Sequence, residues 1–325
     1  MRMTLALAFG AFAIALLSLL FGPAHISVGE IAQALAGNGD PLVRAIVLEL
    51  RLPRAVLALV VGAALGLSGA VLQGYLRNPL ADASVLGTSN ASALGAVIAF
   101  YFGLYAIHPL LLPLLSIGMA LAGLVPLLWL ARINDNPIGL ILAGIAIGTL
   151  AAAGISLSLN LSANPFAAME IMSWLMGSLE DRSFQHLAIS LPFVIAGMGV
   201  LLWDSRRLDA LLLSEDSART LGLDLRQLRS RIALGVALSV GAAVAVSGAI
   251  GFVGLIVPHL VRPLTDRSPS AVLLPSAAGG AALLAAADLL VRLLPTETEL
   301  KLGVVTALLG VPVFFYHLVK ARRLW

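Results

Sequence analysis

The chain has 325 residues, of which 60% are hydrophobic and 11% are charged, and its mean hydropathy is +1.00. A soluble domain is about 45–50% apolar and about 25% charged, so these polar side chains cannot cover the outside of a protein in water. The sequence contains no cysteine, which excludes disulfides, thiolate catalysis and cysteine-ligated metal clusters. We therefore predict an all-α, polytopic transmembrane helical bundle.

Ten apolar runs are candidates for crossing the membrane, since a helix of about 20 apolar residues spans a bilayer. We expect the first run to be a retained span, because its apolar stretch exceeds the about 7–15 residues of a signal peptide. The shortest run, 255–264, contains Pro258 and is expected to be a half-helix buried in protein. In chain order the runs are 3–21, 55–74, 85–105, 110–130, 138–161, 187–203, 232–253, 255–264, 271–294 and 302–319.

The positions of the basic residues predict the orientation. If ten spans alternate, most of the 20 lysines and arginines lie on the side of the N-terminus. Cytoplasmic loops carry the excess of basic residues, so we expect both termini inside the cell. The high isoelectric point of about 9.7 is interpreted as this orientation signal and not as nucleic-acid binding. Residues 1–325 are expected to form a single transmembrane domain with a cytoplasmic segment at 204–231.

The cytoplasmic segment 204–231 carries signals for two short helices. Ser214 can cap a helix whose first turn holds Glu215, as the helix dipole favours. Gly222 can end that helix, and Asp224 can cap a second helix that leads into the next span. From this chemistry alone, a solvated loop and a docking element for a cytoplasmic partner are equally supported.

Two segments that contain proline flank the second span. Outside, the stiff segment 51–54 presents Arg51 and Arg54, which can snorkel to lipid phosphates or pair with carboxylates of an external protein. The residues alone favour snorkelling. Inside, the segment 77–82 forms a rigid break at Pro79, where polar side chains can bond the freed backbone groups. Such a break suits a constriction or a plain turn.

Two glycine motifs predict close helix packing. Gly62-x-x-x-Gly66 and Gly144-x-x-x-Gly148 place small residues on one helix face, which lets two backbones approach each other. Glycine and alanine are common in this chain, so the same spacing can also arise from composition.

Residues for catalysis are scarce. The five histidines lie in separate segments without the spacing of metal ligands, so we expect no metal site. Asp288 and Arg292 are four positions apart near an outside helix end and are expected to pair with each other. The only lysines are Lys301 and Lys320, and neither belongs to a P-loop. The chain is therefore not expected to be an enzyme or to bind ATP by itself.

Across nearly its whole length the sequence resembles the FecCD family, the permeases of binding-protein-dependent ABC importers for iron-siderophores, haem and cobalamin. The order and spacing of the matching segments carry the resemblance. They are Arg51-Leu52-Pro53-Arg54, Asn78-Pro79-Leu80-Ala81-Asp82, Ala218-Arg219-Thr220-Leu221-Gly222 and the run 248–259, together with 62–65, 68–73, 86–87, 287–292 and 303–310.

The resemblance implies a permease in the bacterial inner membrane with ten spans. Its implied partners are a second copy of the chain, with the pathway at the interface, two cytoplasmic ABC ATPase subunits and a periplasmic substrate-binding protein. Family frequency places iron-siderophores first as cargo, cobalamin second and haem third. The alternative is an ion-driven secondary transporter, which requires paired carboxylates within the membrane.

The resemblance also assigns roles to residues. Docking of the binding protein is implied for Arg51, Arg54 and Arg292. Coupling to the ATPase is implied for Ser214, Glu215, Arg219, Leu221 and Gly222. A cytoplasmic gate is implied for Asn78, Leu80, Asn136 and Pro137. The sequence departs from the family pattern at 134–137 and at 296–302, where Lys301 replaces a proline or another neutral residue.

Overall fold

The computed structural model describes residues 2–133, 137–212, 215–294 and 299–321, and these segments are helices joined by short loops. A π-helix covers Ile46–Arg51, and 3-10 helices cover Ala83–Leu86 and Arg262–Leu264. The α-helices are α1 Arg2–Ser18, α2 Val28–Leu35, α3 Pro41–Ala45, α4 Leu52–Leu76, α5 Thr88–Tyr101, α6 Leu104–Ile107, α7 Leu111–Ile133, α8 Pro137–Asn160, α9 Pro165–Leu175, α10 Phe184–Trp203, α11 Ser205–Ala210, α12 Glu215–Thr220, α13 Leu225–Ser247, α14 Val253–Val261, α15 Pro269–Leu293 and α16 Leu302–Ala321.

Within these described residues, six helical segments are long and apolar enough to cross a membrane. They are Pro41–Leu76, Leu111–Leu130, Ile138–Asn160, Phe184–Trp203, Leu225–Ser247 and Pro269–Leu293. Three shorter apolar helices cover Arg2–Ser18, Val253–Leu264 and Leu302–Phe315. The prediction of a multi-pass, all-helical membrane protein is therefore confirmed.

The helices form a central layer and a peripheral layer. In the apolar windows of the α4 segment and of α13, 78% of the residues are buried, and in α15 the share is 61%. The corresponding share is 33% in α7 and α8 and 28% in α10. Helices α4, α13 and α15 therefore form the core, whereas α7, α8 and α10 expose long apolar faces, as a bilayer permits.

Glycine makes a close crossing of α4 and α15 possible. A Cβ atom on Gly62 or on Gly280 would overlap the backbone carbonyl of the other residue, and a Cβ on Gly66 would overlap the carbonyl of Ser276. Helices α4 and α15 therefore touch through their backbones along Gly62-x-x-x-Gly66, as predicted.

The second glycine motif packs against a loop. On α8, a Cβ on Gly144 would overlap the carbonyl of Val85, and Gly148 lies against Gly87. Gly87 has a positive φ of 69°, which favours glycine for a second reason. The motif therefore holds α8 against the segment that leads into α5, and its prediction as a packing face is confirmed.

Helix α14 is the predicted half-helix. It has nine residues, its Pro258 is buried, and the 3-10 turn Arg262–Leu264 follows it. The chain leaves α13 at Gly248 and enters α14 through Phe252, which has a left-handed φ of 68°. A helix this short covers only about half of a bilayer.

Several short helices were not predicted from the sequence, among them α2, α9 and α11. Helix α2 begins with a capping box between Ser27 and Glu30, and α9 begins with Asn164, whose side chain accepts from the backbone of Phe166. Helix α11 follows directly after α10. All three are too short to stand out in a search for spans of about 20 residues.

Candidate functional site

A charged cluster lies where α4 begins and α15 ends; we call this the outer end, after the predicted orientation. Arg54 Nε lies 2.8 Å from Asp288 Oδ1, and Arg292 Nη2 lies 2.7 Å from Asp288 Oδ2. The side chain of Asp288 is 1% exposed. The predicted pairing of Asp288 with Arg292 is confirmed, and Arg54 shares the same carboxylate.

Arg54 has a second carboxylate partner in Glu299. Its two terminal nitrogens face the two oxygens of Glu299, with 3.0 Å between Nη1 and Oε2. Glu299 is 22% exposed, whereas Arg54 is 12% exposed. Arg54 therefore bridges a buried carboxylate and a more accessible one.

Arg51 has backbone partners. It is 5% exposed, and its terminal nitrogens donate to the carbonyl oxygens of Leu19 and Ala24. A Cβ atom on Gly22 would lie 3.0 Å from Arg51 Nη2, so glycine leaves room for the guanidinium. The structure thus uses Arg51 to hold the connection between α1 and α2.

A cavity of about 640 Å³ opens beside these arginines. Lys301 forms an ion pair at 3.4 Å with Glu180, which lines the cavity. Burial lowers the pKa of the neighbouring Arg182, and the carboxylates of Asp181 and Glu180 oppose that shift. The charged residues that line the cavity are Arg51, Arg54, Arg292, Glu180, Asp181 and Glu299.

The predicted gate segment lies at the opposite, inner end of α4. Arg77 ends α4 in a left-handed conformation with φ 48°. Asn78 Oδ1 then accepts from the backbone of Leu80 at 2.9 Å, which satisfies a group near the proline break. Leu80 is 50% exposed. Of the other predicted gate residues, Asn136 lies outside the described residues, and Pro137 begins α8.

The segment 204–231, which is predicted to be cytoplasmic, has the expected helices on both sides of Gly222. Helix α12 begins at Glu215, and Gly222 follows it with a positive φ of 81°. Asp224 Oδ1 then caps α13 by accepting from the backbone of Gln227 at 2.9 Å. The predicted cap Ser214 lies outside the described residues. Arg219 lies in the last turn of α12, and Leu221 follows that helix with 66% of its surface exposed.

Two aspartates that sequence reasoning missed fix α11 and its surroundings. Asp204 pairs with Arg207 at 2.8 Å and with Arg231 at 3.2 Å. Asp209 accepts from Ser270, at 2.8 Å from its backbone nitrogen and 2.6 Å from its hydroxyl. Apart from the local Asp204–Arg207 spacing, these partners are far apart in the chain and leave no sequence signal.

Among the described residues, no group of three histidine or acidic side chains is arranged to hold a metal ion. Asp288 lies between two arginines, and the Glu299 carboxylate faces one of them. This chemistry suits ionic contacts between helices and with another protein.

Similar proteins place this arrangement in a known family. The profile of the FecCD transport family matches residues 10–320. The chain is 39% identical over 292 residues to the uncharacterized ABC transporter permease protein YvrB of Bacillus subtilis, covering 88% of this chain and 82% of that protein. It is also 39% identical over 314 residues to the vitamin B12 import system permease protein BtuC of Salmonella typhi, covering 95% and 92% of the two chains.

A solved structure agrees with these relatives. It is described as an inward-facing conformation of a metal-chelate type ABC transporter, and it matches with a TM-score of 0.87 and 32% identity. The match covers 98% of this chain and 99% of the other. The relatives are permease components, which are not enzymes themselves. The chain therefore belongs to the FecCD transport family, the permeases of ABC importers.

Proposed function

We propose that the chain is the membrane-spanning subunit of an importer that moves a metal chelate across the bacterial cytoplasmic membrane. A separate ATPase powers the movement. The observation that carries the proposal is the helix pair at the inner end, α12 and the start of α13, where Asp224 caps α13 and Arg229 contacts the end of α4 beside the exposed gate segment. Such a pair gives a cytoplasmic ATPase a rigid binding surface through which its movement reaches the membrane helices.

We propose ten spans with both termini inside. The six long helices and three shorter apolar helices become ten when α5 is added. Contacts at the two ends support the alternation. At one end Arg54 meets Asp288 and Glu299, and at the other Asp209 meets Ser270. Each contact joins segments that the ten-span topology places on the same side.

Docking of a substrate-binding protein is proposed at the outer cavity, through Arg51, Arg54 and Arg292. Arg54 is the residue best placed to exchange partners, because one of its two carboxylates, Glu299, is partly exposed. A carboxylate of the binding protein would replace Glu299, while Asp288 keeps the arginine in position. Arg51 and Arg292 would contribute by shaping the wall of the cavity and by their charge.

The assembly is proposed to be a homodimer with two ATPase subunits. The peripheral helices expose large apolar side chains, among them Leu142, Ile145 and Leu150 on α8. A second copy would cover part of such a face and lipid the rest. Because the chain has no cysteine, single introduced cysteines give clean cross-linking data on this arrangement.

Cobalamin is proposed as the first cargo to test, with an iron-siderophore second and haem third. The relatives that name a cargo are vitamin B12 import permeases. This order differs from family frequency, which placed iron-siderophores first. Thermal-shift titration of the partner binding protein with each chelate separates the three.

The deciding experiment is uptake into proteoliposomes that contain the chain with or without its ATPase. We expect uptake only with the ATPase, ATP and the binding protein. Uptake driven by an ion gradient without the ATPase would refute the proposal and support secondary transport. That alternative requires paired carboxylates within the membrane, whereas in the described part of the chain the buried carboxylate Asp288 is paired with Arg54 and Arg292.

A further inference from the structure

The last two turns of α4 receive an arginine from each of two other segments. Arg229, in the second turn of α13, donates from Nε to the hydroxyl oxygen of Tyr75 at 3.2 Å. Arg262, at the end of α14, donates from Nη2 to Gln73 Oε1 at 3.2 Å. Both contacts lie within four residues of Arg77, where α4 ends.

The Tyr75–Arg229 contact is buried. Tyr75 is 5% exposed and Arg229 is 3% exposed. Hydrogen bonds from a charged donor are stronger and more directional than neutral ones, and they strengthen further away from water. A buried guanidinium also cannot leave its partners without a desolvation cost. Tyr75 is therefore expected to move together with the first turns of α13.

The two residues belong to the two segments that a transporter has to connect. Tyr75 lies two positions before Arg77, whose left-handed backbone turns the chain into the gate segment. Arg229 lies five positions after Asp224, the cap that joins the coupling helices to α13. One side-chain contact thus bridges the coupling segment and the gate segment.

The contact of Gln73 anchors α4 to a different helix. Gln73 Nε2 donates to the carbonyl oxygens of Leu255 at 3.1 Å and of Gly254 at 3.4 Å, and Gln73 Oε1 accepts from Arg262, so Gln73 ties α4 to α14. Tyr75 faces α13. Gln73 is thus bonded to α14 and Tyr75 to α13. If α13 shifts relative to α14, the two helices therefore pull on α4 at two residues close to the end of α4.

We propose that the Tyr75–Arg229 contact is the positioning contact through which movement of the coupling segment reaches the gate segment. The inference deepens the proposed function and rests on it. Tyr75 and Arg229 are both buried, and they act through the segments that they join.

The test uses the complex with its ATPase and a thiol probe next to the gate. Ser84 is exposed and follows the gate segment, and Ser84→Cys introduces the only thiol of the chain. The rate of labelling by a membrane-impermeant maleimide is measured with and without MgATP. In this parent we expect ATP to change the rate about fivefold or more, the range of ordinary allosteric coupling.

Adding Tyr75→Phe removes one hydroxyl and keeps the ring. We expect the ATP-dependent change in labelling to fall below about twofold, while the rate of ATP hydrolysis and the melting temperature stay near those of the parent. Arg229→Lys is the second variant, and it should give the same loss. The double variant should reduce the ATP response no more than the stronger single variant does, because both changes act on the same contact between Tyr75 and Arg229.

Tyr105→Phe is the matched control, since it removes a tyrosine hydroxyl that bonds Glu170 at the outer end. It should keep the full ATP response. If Tyr75→Phe and Arg229→Lys also keep it, the inference is wrong and the proposed function stands. If the parent itself shows no response to ATP, both the coupling in the proposed function and this inference are refuted.

Discussion

Arg54 and Asp288 lie 234 positions apart in the chain and meet in an ion pair of 2.8 Å at the outer end of the bundle. The pair joins the start of α4 to the end of α15, the two helices that also cross through Gly62 and Gly280. The same carboxylate serves Arg292. One buried aspartate thus pairs with two arginines of the predicted docking site, and Glu299 supplies a second carboxylate to Arg54.

Asp288→Asn should destabilise the protein strongly. It leaves two largely buried arginines without their shared counter-charge, and removing one partner of a buried ion pair costs about 3–5 kcal/mol. The melting temperature of the purified chain in detergent measures the effect. Asp266→Asn, in an exposed loop, is the control and should change stability by less than about 0.5 kcal/mol. Equal melting temperatures for the two variants would contradict this reading of the cluster.

Arg51→Lys should lower stability although it keeps the charge. A lysine has one nitrogen on a flexible stem and cannot reproduce the forked contact with the carbonyl oxygens of Leu19 and Ala24. Losing one such bond to a buried carbonyl costs about 1–3 kcal/mol. Thermal unfolding and proteolysis of the link between α1 and α2 report the change. If the variant unfolds like the parent but binds the substrate-binding protein more weakly, Arg51 contributes to docking and not to stability.

Glu299→Gln should strengthen docking of the binding protein. The change removes the internal competitor for Arg54 and leaves Asp288 in place. A partly exposed ion pair contributes about 0.2–1 kcal/mol, so affinity should rise by up to about fivefold. The measurement is binding of the partner to the permease in nanodiscs. Glu170→Gln, an outer exposed carboxylate bonded to Tyr105, serves as the control. Weaker binding of the Glu299 variant would show that Glu299 itself contacts the partner.

Gly280→Ala should force α4 and α15 apart. The added methyl group would overlap the carbonyl oxygen of Gly62, and backbone cannot move aside as a side chain can. We expect a loss at the upper end of the about 1–3 kcal/mol that overpacking costs. Gly199→Ala on α10 has open space within 4 Å and should be neutral or slightly stabilising. Circular dichroism melts of the two variants decide the matter, and a stable Gly280 variant would contradict the close crossing.

Local patterns predicted local structure well. The pairing of Asp288 with Arg292, the cap at Asp224 and the packing faces of Gly62 and Gly144 each follow from spacing within one helix or turn. The half-helix around Pro258 was recognised for the same reason, because its length and its proline are visible in the sequence.

Contacts between distant segments could not be predicted in this way. Which face of α4 meets α15 depends on the rotation of both helices, so the pairing of Arg54 with Asp288 and Glu299 had no signal in the chain. The same holds for Asp209 with Ser270. The backbone role of Arg51 was hidden as well, since carbonyl partners leave no trace in a pattern of side chains.

The packing of Gly87 against Gly144 and Gly148 leaves no layer of side chains between α8 and the short turn that follows the predicted gate segment. Side chains between two backbones can change rotamer when the backbones shift and so absorb part of the movement. No side chain lies between the backbones at this contact. The joint is therefore stiff. A movement of the predicted gate segment that reaches Gly87 is therefore passed directly to the middle of α8, at Gly144 and Gly148.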